Sequence, residues 1–168
     1  MKILIAEDEE SIALPYKIIL RKRNHEVEIT ENGEECLKAY YDALKRVPKL
    51  NGSPFDVIVL DYRMPKKDGM EVAKEILAIN PHQRIIFASA YVKDTLVDSV
   101  KQLKQVVELI QKPFELDAFV DTIEDKEIYA ELEKLNAKVH LIKDLDPTHE
   151  EIRDLVEGLR VVMKGRTF

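Results

Sequence analysis

Five short runs rich in apolar and β-branched residues punctuate this chain: KILIA (2–6), EVEIT (26–30), FDVIVL (55–60), RIIFAS (84–89) and VELIQ (107–111). Three of them are near-continuously apolar, the pattern of strands buried on both faces of a sheet. Between and after them lie segments with helical spacing. Residues 11–23 carry Ile12, Tyr16, Ile19 and Leu20 on one stripe, with Pro15 near the first turn, where it is expected to distort the helix. Residues 33–46 carry Cys36, Leu37, Tyr40, Tyr41 and Leu44, and residues 69–79 carry Met70, Val72, Ala73, Ile76 and Leu77. Residues 94–104 carry Leu96, Val97, Val100 and Leu103. A last helix of the series starts near Glu115, with Leu116, Phe119, Val120 and Ile123 on one face. Asn32-Gly33 and Asn80-Pro81 mark joins. Strand and helix alternate five times, so the chain reads as α/β, a (βα)5 doubly wound parallel sheet. The handedness of parallel crossovers then brings every strand's carboxyl end to one edge. Ligands bind at that edge in open α/β sheets.

The residues expected at that edge carry chemistry. The first strand ends in Glu7-Asp8, the third in Asp61, the fourth in Ser89 and the fifth in Lys112. Each has a bland alternative: Glu7-Asp8 as acids at a helix N-terminus, Asp61 as a turn residue, Ser89 as a packing hydroxyl, Lys112 as a solvated cation. Taken together they form a pattern. Clustered carboxylates raise one another's pKa unless a cation sits among them. Mg²⁺, held by one or two carboxylates and several waters, is the usual solution. A carboxylate beside such a metal can attack phosphorus and become an acyl phosphate. Phosphoryl transfer otherwise asks mainly for positioning and charge neutralisation, which Lys112 and Ser89 can supply.

Composition sets the limits. At 168 residues the chain is one ordinary domain, with room for a small appendage. Hydrophobic residues make up 45% and charged residues 35%, a globular balance. A net charge of −6 argues against a nucleic-acid surface spread over the molecule. No apolar run approaches the roughly 20 residues that span a bilayer, and MKILIAEDEE turns acidic too early for a secretory signal. Cys36 alone permits no internal disulfide, which points to a reducing cytoplasm. Cys36 reads as packing; His25, His82, His140 and His149 lack metal-ligand spacing and read as surface or capping residues. Asp68-Gly69 reads as a turn and cap for the helix that follows.

Four segments in order, ILIAEDE (3–9), VLDYRMPKKDG (59–69), ASA (88–90) and KPF (112–114), make residues 1–124 resemble the receiver domain of two-component response regulators. The resemblance implies a flavodoxin-like fold with strand order 2-1-3-4-5. It implies that Asp61 is the phosphoacceptor, and that Glu7, Asp8, Asp61 and the backbone carbonyl of Arg63 hold Mg²⁺. Ser89 and Lys112 would bind the phosphoryl group, with Lys112-Pro113 a cis peptide. The donor would be a sensor histidine kinase or phosphotransfer protein, and the domain would catalyse only its own phosphorylation and slow dephosphorylation. The sequence departs from the family at Leu109, where a Tyr or Phe is usual as moving partner of the hydroxyl; Tyr91 or Phe87 would have to replace it. Glu7 replaces the commoner Asp, and Arg63 and Tyr91 are bulky neighbours that could shield an acyl phosphate from water. KRVPKLNGSPFD (45–56) delays the third strand and reads as an extended helix and surface loop, or as a docking loop.

The remaining residues, 125–168, are too few for a winged-helix DNA-binding domain. Ile128, Leu132, Leu135, Val139 and Ile142 form an a/d seam, out of phase with the preceding helix by a break near Asp125. Asp146-Pro147 interrupts it, Thr148 and Glu151 suit a capping box, and Ile152, Leu155, Leu159 and Val162 give a second stripe ending at Gly165. The segment reads as a helical hairpin, packed on its own receiver or meeting a second subunit or partner. With 8 Lys/Arg against 10 Asp/Glu it lacks the basic face that nucleic acid needs. The expected output is protein–protein contact or dimerisation. Two other readings compete. A metal-dependent phosphatase of the haloacid-dehalogenase type needs a second Asp where Arg63 stands. A pseudo-receiver, signalling without phosphate, is favoured only by Leu109.

Overall fold

The computed structural model describes residues 1–47, 52–90, 100, 103 and 107–126. Along them run β1 (Lys2–Ala6), α1 (Glu10–Lys22), β2 (Glu26–Thr30), α2 (Gly33–Leu44), β3 (Val57–Leu60), α3 (Gly69–Ile79), β4 (Ile85–Ser89), β5 (Glu108–Gln111) and α4 (Leu116–Glu124). The five strands form one parallel sheet in the order β2-β1-β3-β4-β5. This is the flavodoxin-like order that the sequence implied. The helix expected over 94–104, except Val100 and Leu103, and the hairpin expected over 125–168, beyond residue 126, lie outside the described residues.

The strands bury both faces because alternate residues serve two separate cores. Leu4, Ala6, Ile58, Leu60, Ile85 and Phe87 point to the α2/α3 side, with Cys36, Tyr40, Val72 and Ile76. Ile3, Ile5, Val57, Val59, Ile86 and Ala88 point to the α1/α4 side, with Tyr16, Leu20, Phe119, Val120 and Ile123. Every residue of β3 is buried, whereas β2, at the sheet edge, is buried only in part.

Helix starts follow local chemistry. Asn32 caps α2 by accepting from the Glu35 amide. Asp68 and Glu71 form a reciprocal capping box at the start of α3. Pro15 lies inside α1 rather than in its first turn, and the helix continues through it to Lys22.

Two polar residues tie the amino edge of the sheet together. Arg84, buried at the start of β4, donates to both carboxylate oxygens of Glu108, at 2.7 and 2.9 Å. It also donates to the carbonyls of Thr122 and Ile123, closing the last turn of α4. His25, read from the sequence as a surface or capping residue, is a tether instead. Its side chain is largely buried, with Nε2 at 2.9 Å from Glu124 and Nδ1 at 3.2 Å from the N-terminal amine. Nothing local in the sequence signals either role, because their partners lie far along the chain.

Candidate functional site

The sheet delivers its edge residues by continuing the ladder one rung beyond the strands. The Glu7 amide donates to Thr30 O at 3.0 Å, the Asp61 amide to Ala6 O at 2.9 Å and the Lys112 amide to Ser89 O at 2.9 Å. Each is the residue just past its strand, so sheet hydrogen bonds fix its backbone while its side chain turns into the edge.

Three of the predicted residues meet. Lys112 Nζ donates to Glu7 Oε2 at 2.6 Å and to Asp61 Oδ1 at 3.0 Å. The second oxygen of Asp61 accepts from the Arg63 amide at 3.0 Å. Ser89 is buried at the end of β4, and its carbonyl holds the Lys112 amide. Asp8 is exposed, and Arg63 meets Asp61 through its amide. Lys112-Pro113 is cis, as the resemblance implied.

Electrostatics follows from this arrangement. Burial pushes the Glu7 carboxyl above its usual 4.5, a shift that the Lys112 bond and charge only partly offset. Burial also works against the Lys112 ammonium, but its bonds to Glu7 and Asp61 win and hold it above its usual 10.5. Two carboxylates around one ammonium leave a residual negative charge, with Asp8 adding another nearby in the chain. Hard oxygen donors carrying surplus negative charge suit a hard divalent cation that keeps several waters. Among the described residues, no group of three or more His, Cys, Asp or Glu side chains is close enough to hold a metal by itself. A metal here would therefore draw on backbone carbonyl and water as well as carboxylate.

The loop after β3 is shaped by two close approaches. A Cβ at Gly69 would lie 2.2 Å from the Asp61 carbonyl oxygen, and one at Gly33 would lie 2.4 Å from that of Lys67. Only glycine lets α3 start against the Asp61 backbone and α2 start against the loop. Lys66 takes a left-handed conformation, φ 68°, in this loop, and Lys67 pairs with Glu75 of α3.

Leu109, where an aromatic was expected, is partly buried, pairs with Phe87 across β4 and packs into the α2/α3 core. Tyr91, the other candidate substitute, lies outside the described residues. One neighbour of the site escaped the sequence reading. Tyr16 of α1 is buried, and burial followed by the negative charges of Glu7 and Asp61 raises its phenol pKa. The sequence shows it only as one member of an apolar stripe.

A doubly wound parallel sheet with a carboxylate and ammonium cluster on its carboxyl edge defines the molecule as a flavodoxin-like α/β protein with a polar edge site. The chain belongs to the response regulator receiver domain family, whose model matches residues 3–124, and is a two-component response regulator of the CheY-like kind. It is 32% identical over 126 residues to the chemotaxis protein CheY of Listeria monocytogenes, covering 74% of this chain and 96% of that one. CheY of Bacillus subtilis is 32% identical, with 73% and 93% covered. Among solved structures, the response regulator TrrA of Thermotoga maritima in complex with Mg²⁺-BeF is 30% identical. It aligns with a TM-score of 0.58 over 73% of this chain and 96% of that one. The family implies a histidine kinase partner. Among the described residues no helix is long and apolar enough to cross a membrane.

Proposed function

We propose that Asp61 accepts a phosphoryl group from the phosphohistidine of a sensor histidine kinase or phosphotransfer protein. The observation that carries this reading is the single ammonium of Lys112 bonded to both Glu7 and Asp61 at the sheet's carboxyl edge. An Asp61 oxygen attacks phosphorus, the P–N bond to the imidazole breaks as the P–O bond forms, and the imidazole leaves with its electron pair. Lys112 is placed to follow the charge onto the phosphoryl oxygens, and the Ser89 hydroxyl is the second donor. Mg²⁺, held by Glu7, Asp8, Asp61 and the Arg63 carbonyl, would neutralise phosphoryl charge. Water attack on the same phosphorus then breaks the acyl P–O bond, returning the carboxylate and releasing inorganic phosphate. The chain is thus an acceptor that catalyses only its own modification.

Residues 1–124 form the acceptor domain in this reading, and 125–168 form a helical extension that carries output through a second copy or a partner protein. The Listeria CheY, covered over 96% of its length, supports an output that needs no separate DNA-binding domain. The test is Mg²⁺-dependent labelling of the full chain by acetyl phosphate. Labelling of wild type that disappears in Asp61→Asn supports the assignment; equal labelling of Asp61→Asn at another residue overturns it. Light scattering with and without Mg²⁺ and beryllofluoride then distinguishes a phosphate-dependent dimer from output through a separate partner.

Leu109 favours a second reading, a receiver that signals without phosphate. Failure of Mg²⁺ and beryllofluoride to bind would select it.

A further inference from the structure

Lys112 carries a long, flexible side chain, so where its ammonium points depends on where its backbone is held. The sheet holds that backbone at one rung, the amide to Ser89 O at 2.9 Å. Beyond that rung the chain leaves the sheet through Pro113 and Phe114, and packing must set its course. Three rings supply the packing. Tyr16 of α1 stacks on Phe114 at a centroid distance of 5.6 Å and lies 4.6 Å from Phe119 of α4. Phe114 and Phe119 stack at 5.1 Å, so the three rings close on one another.

The position of this triangle is what gives it meaning. Phe114 lies two residues past Lys112, and α1 begins three residues past Glu7. Tyr16 therefore bridges the helix that issues from the buried carboxylate and the turn that issues from the ammonium. Tyr16 belongs to the α1/α4 core, and after burial the negative charges of Glu7 and Asp61 also raise its phenol pKa.

We propose that Tyr16 is a positioning residue for the phosphoryl site: its ring, stacked on Phe114 and tilted against Phe119, holds the 112–114 turn so that Lys112 Nζ faces Glu7 and Asp61. The proposal rests on the reading of Asp61 as phosphoacceptor, and it assigns to α1 a role that neither strand-end motifs nor apolar periodicity reveals. The ring does the work, and the hydroxyl is dispensable.

The test uses the full chain as wild type, Tyr16→Phe, Tyr16→Leu and Phe114→Leu, each alone and combined with Lys112→Ala. One readout is hydrogen exchange at the Lys112 amide in metal-free protein, compared with core amides of β3. The other is the initial rate of Mg²⁺-dependent labelling by acetyl phosphate. Tyr16→Phe should match wild type in both. Tyr16→Leu and Phe114→Leu should speed exchange at Lys112 without speeding it in β3, and slow labelling by about 10- to 100-fold. On the Lys112→Ala background they should slow labelling no further, because the two changes act through one group. Wild-type exchange at Lys112 in Tyr16→Leu, or the same loss of labelling with and without Lys112, overturns the proposal. Should Tyr16→Leu lose its melting transition, Phe114→Leu carries the test. If wild type itself does not label, the phosphoacceptor reading fails, and the exchange measurement still decides the positioning role.

Discussion

The ammonium of Lys112 donates to Asp61 Oδ1 at 3.0 Å, joining the ends of two strands whose residues are 51 positions apart. The same ammonium also holds Glu7 at 2.6 Å, so one cation ties Asp61 to a buried carboxylate.

Glu7 gives this site a signature in stability. Burial, the largest influence on its carboxyl, holds its pKa above 4.5, so the folded protein keeps the Glu7 proton to higher pH than the unfolded chain. The stability contributed by Glu7 is complete below about pH 4.5 and is lost as pH rises through the folded value. Other carboxylates shift the opposite way, among them Asp56, so the informative quantity is the difference between wild type and Glu7→Gln. Urea unfolding in chelator at pH 4.5 and pH 7 should show Glu7→Gln gaining on wild type as pH rises. A loss instead would mean that the Lys112 bond outweighs burial.

Gly69 tests the geometry of the loop after β3. A Cβ there meets the Asp61 carbonyl oxygen at 2.2 Å, a backbone atom that cannot move without moving Asp61. Gly69→Ala should destabilise the protein by about 1–3 kcal/mol by urea unfolding, the range for overpacking. It should also slow acetyl phosphate labelling.

Arg84, buried, and Glu108, partly buried, form an ion pair that also closes α4. Arg84→Ala strands the Glu108 carboxylate and two helix carbonyls, and should cost about 3–5 kcal/mol in urea unfolding. Arg84→Met with Glu108→Leu should recover a large share of that loss, because the uncompensated charge is gone. No recovery would show that the bonds to Thr122 and Ile123 dominate.

Cys36 is predicted to be inert while the protein is folded. Burial pushes its thiol up to about 12, so the reactive thiolate is scarce at neutral pH, and the side chain lies within the α2/α3 core. Alkylation at pH 8 should be negligible in buffer and should appear only across the urea unfolding transition. Rapid modification in buffer would require local opening of α2.

The fold was legible in the sequence wherever periodicity is strong. β1 and β2 and the α3 span from Gly69 to Ile79 coincide with the expected runs, while β3 starts two residues later, at Val57. Phe55 and Asp56 are absent from that strand because the chain is still entering the sheet: the Asp56 carboxylate accepts from the Lys2 amide. Capping chemistry at Asp68 was legible too, because the capping residue and its partner lie three residues apart. His25 was misread because its partner, Glu124, is distant; Tyr16 was placed correctly on the buried stripe of α1, but its ring partners Phe114 and Phe119 lie too far along the chain to be read.

By itself the sequence determined the alternation of strands and helices, and therefore that Glu7, Asp61, Ser89 and Lys112 arrive at one edge, because apolar period and crossover handedness are local and general constraints. Only the tertiary structure decided how those residues share their charges. Lys112 takes both Glu7 and Asp61, Arg63 meets Asp61 through its amide, and Tyr16 packs against the turn that carries Lys112. Hydrogen-bond partners and ring stacking depend on distances of a few ångströms between segments far apart in the chain, and residue order alone does not encode these distances locally.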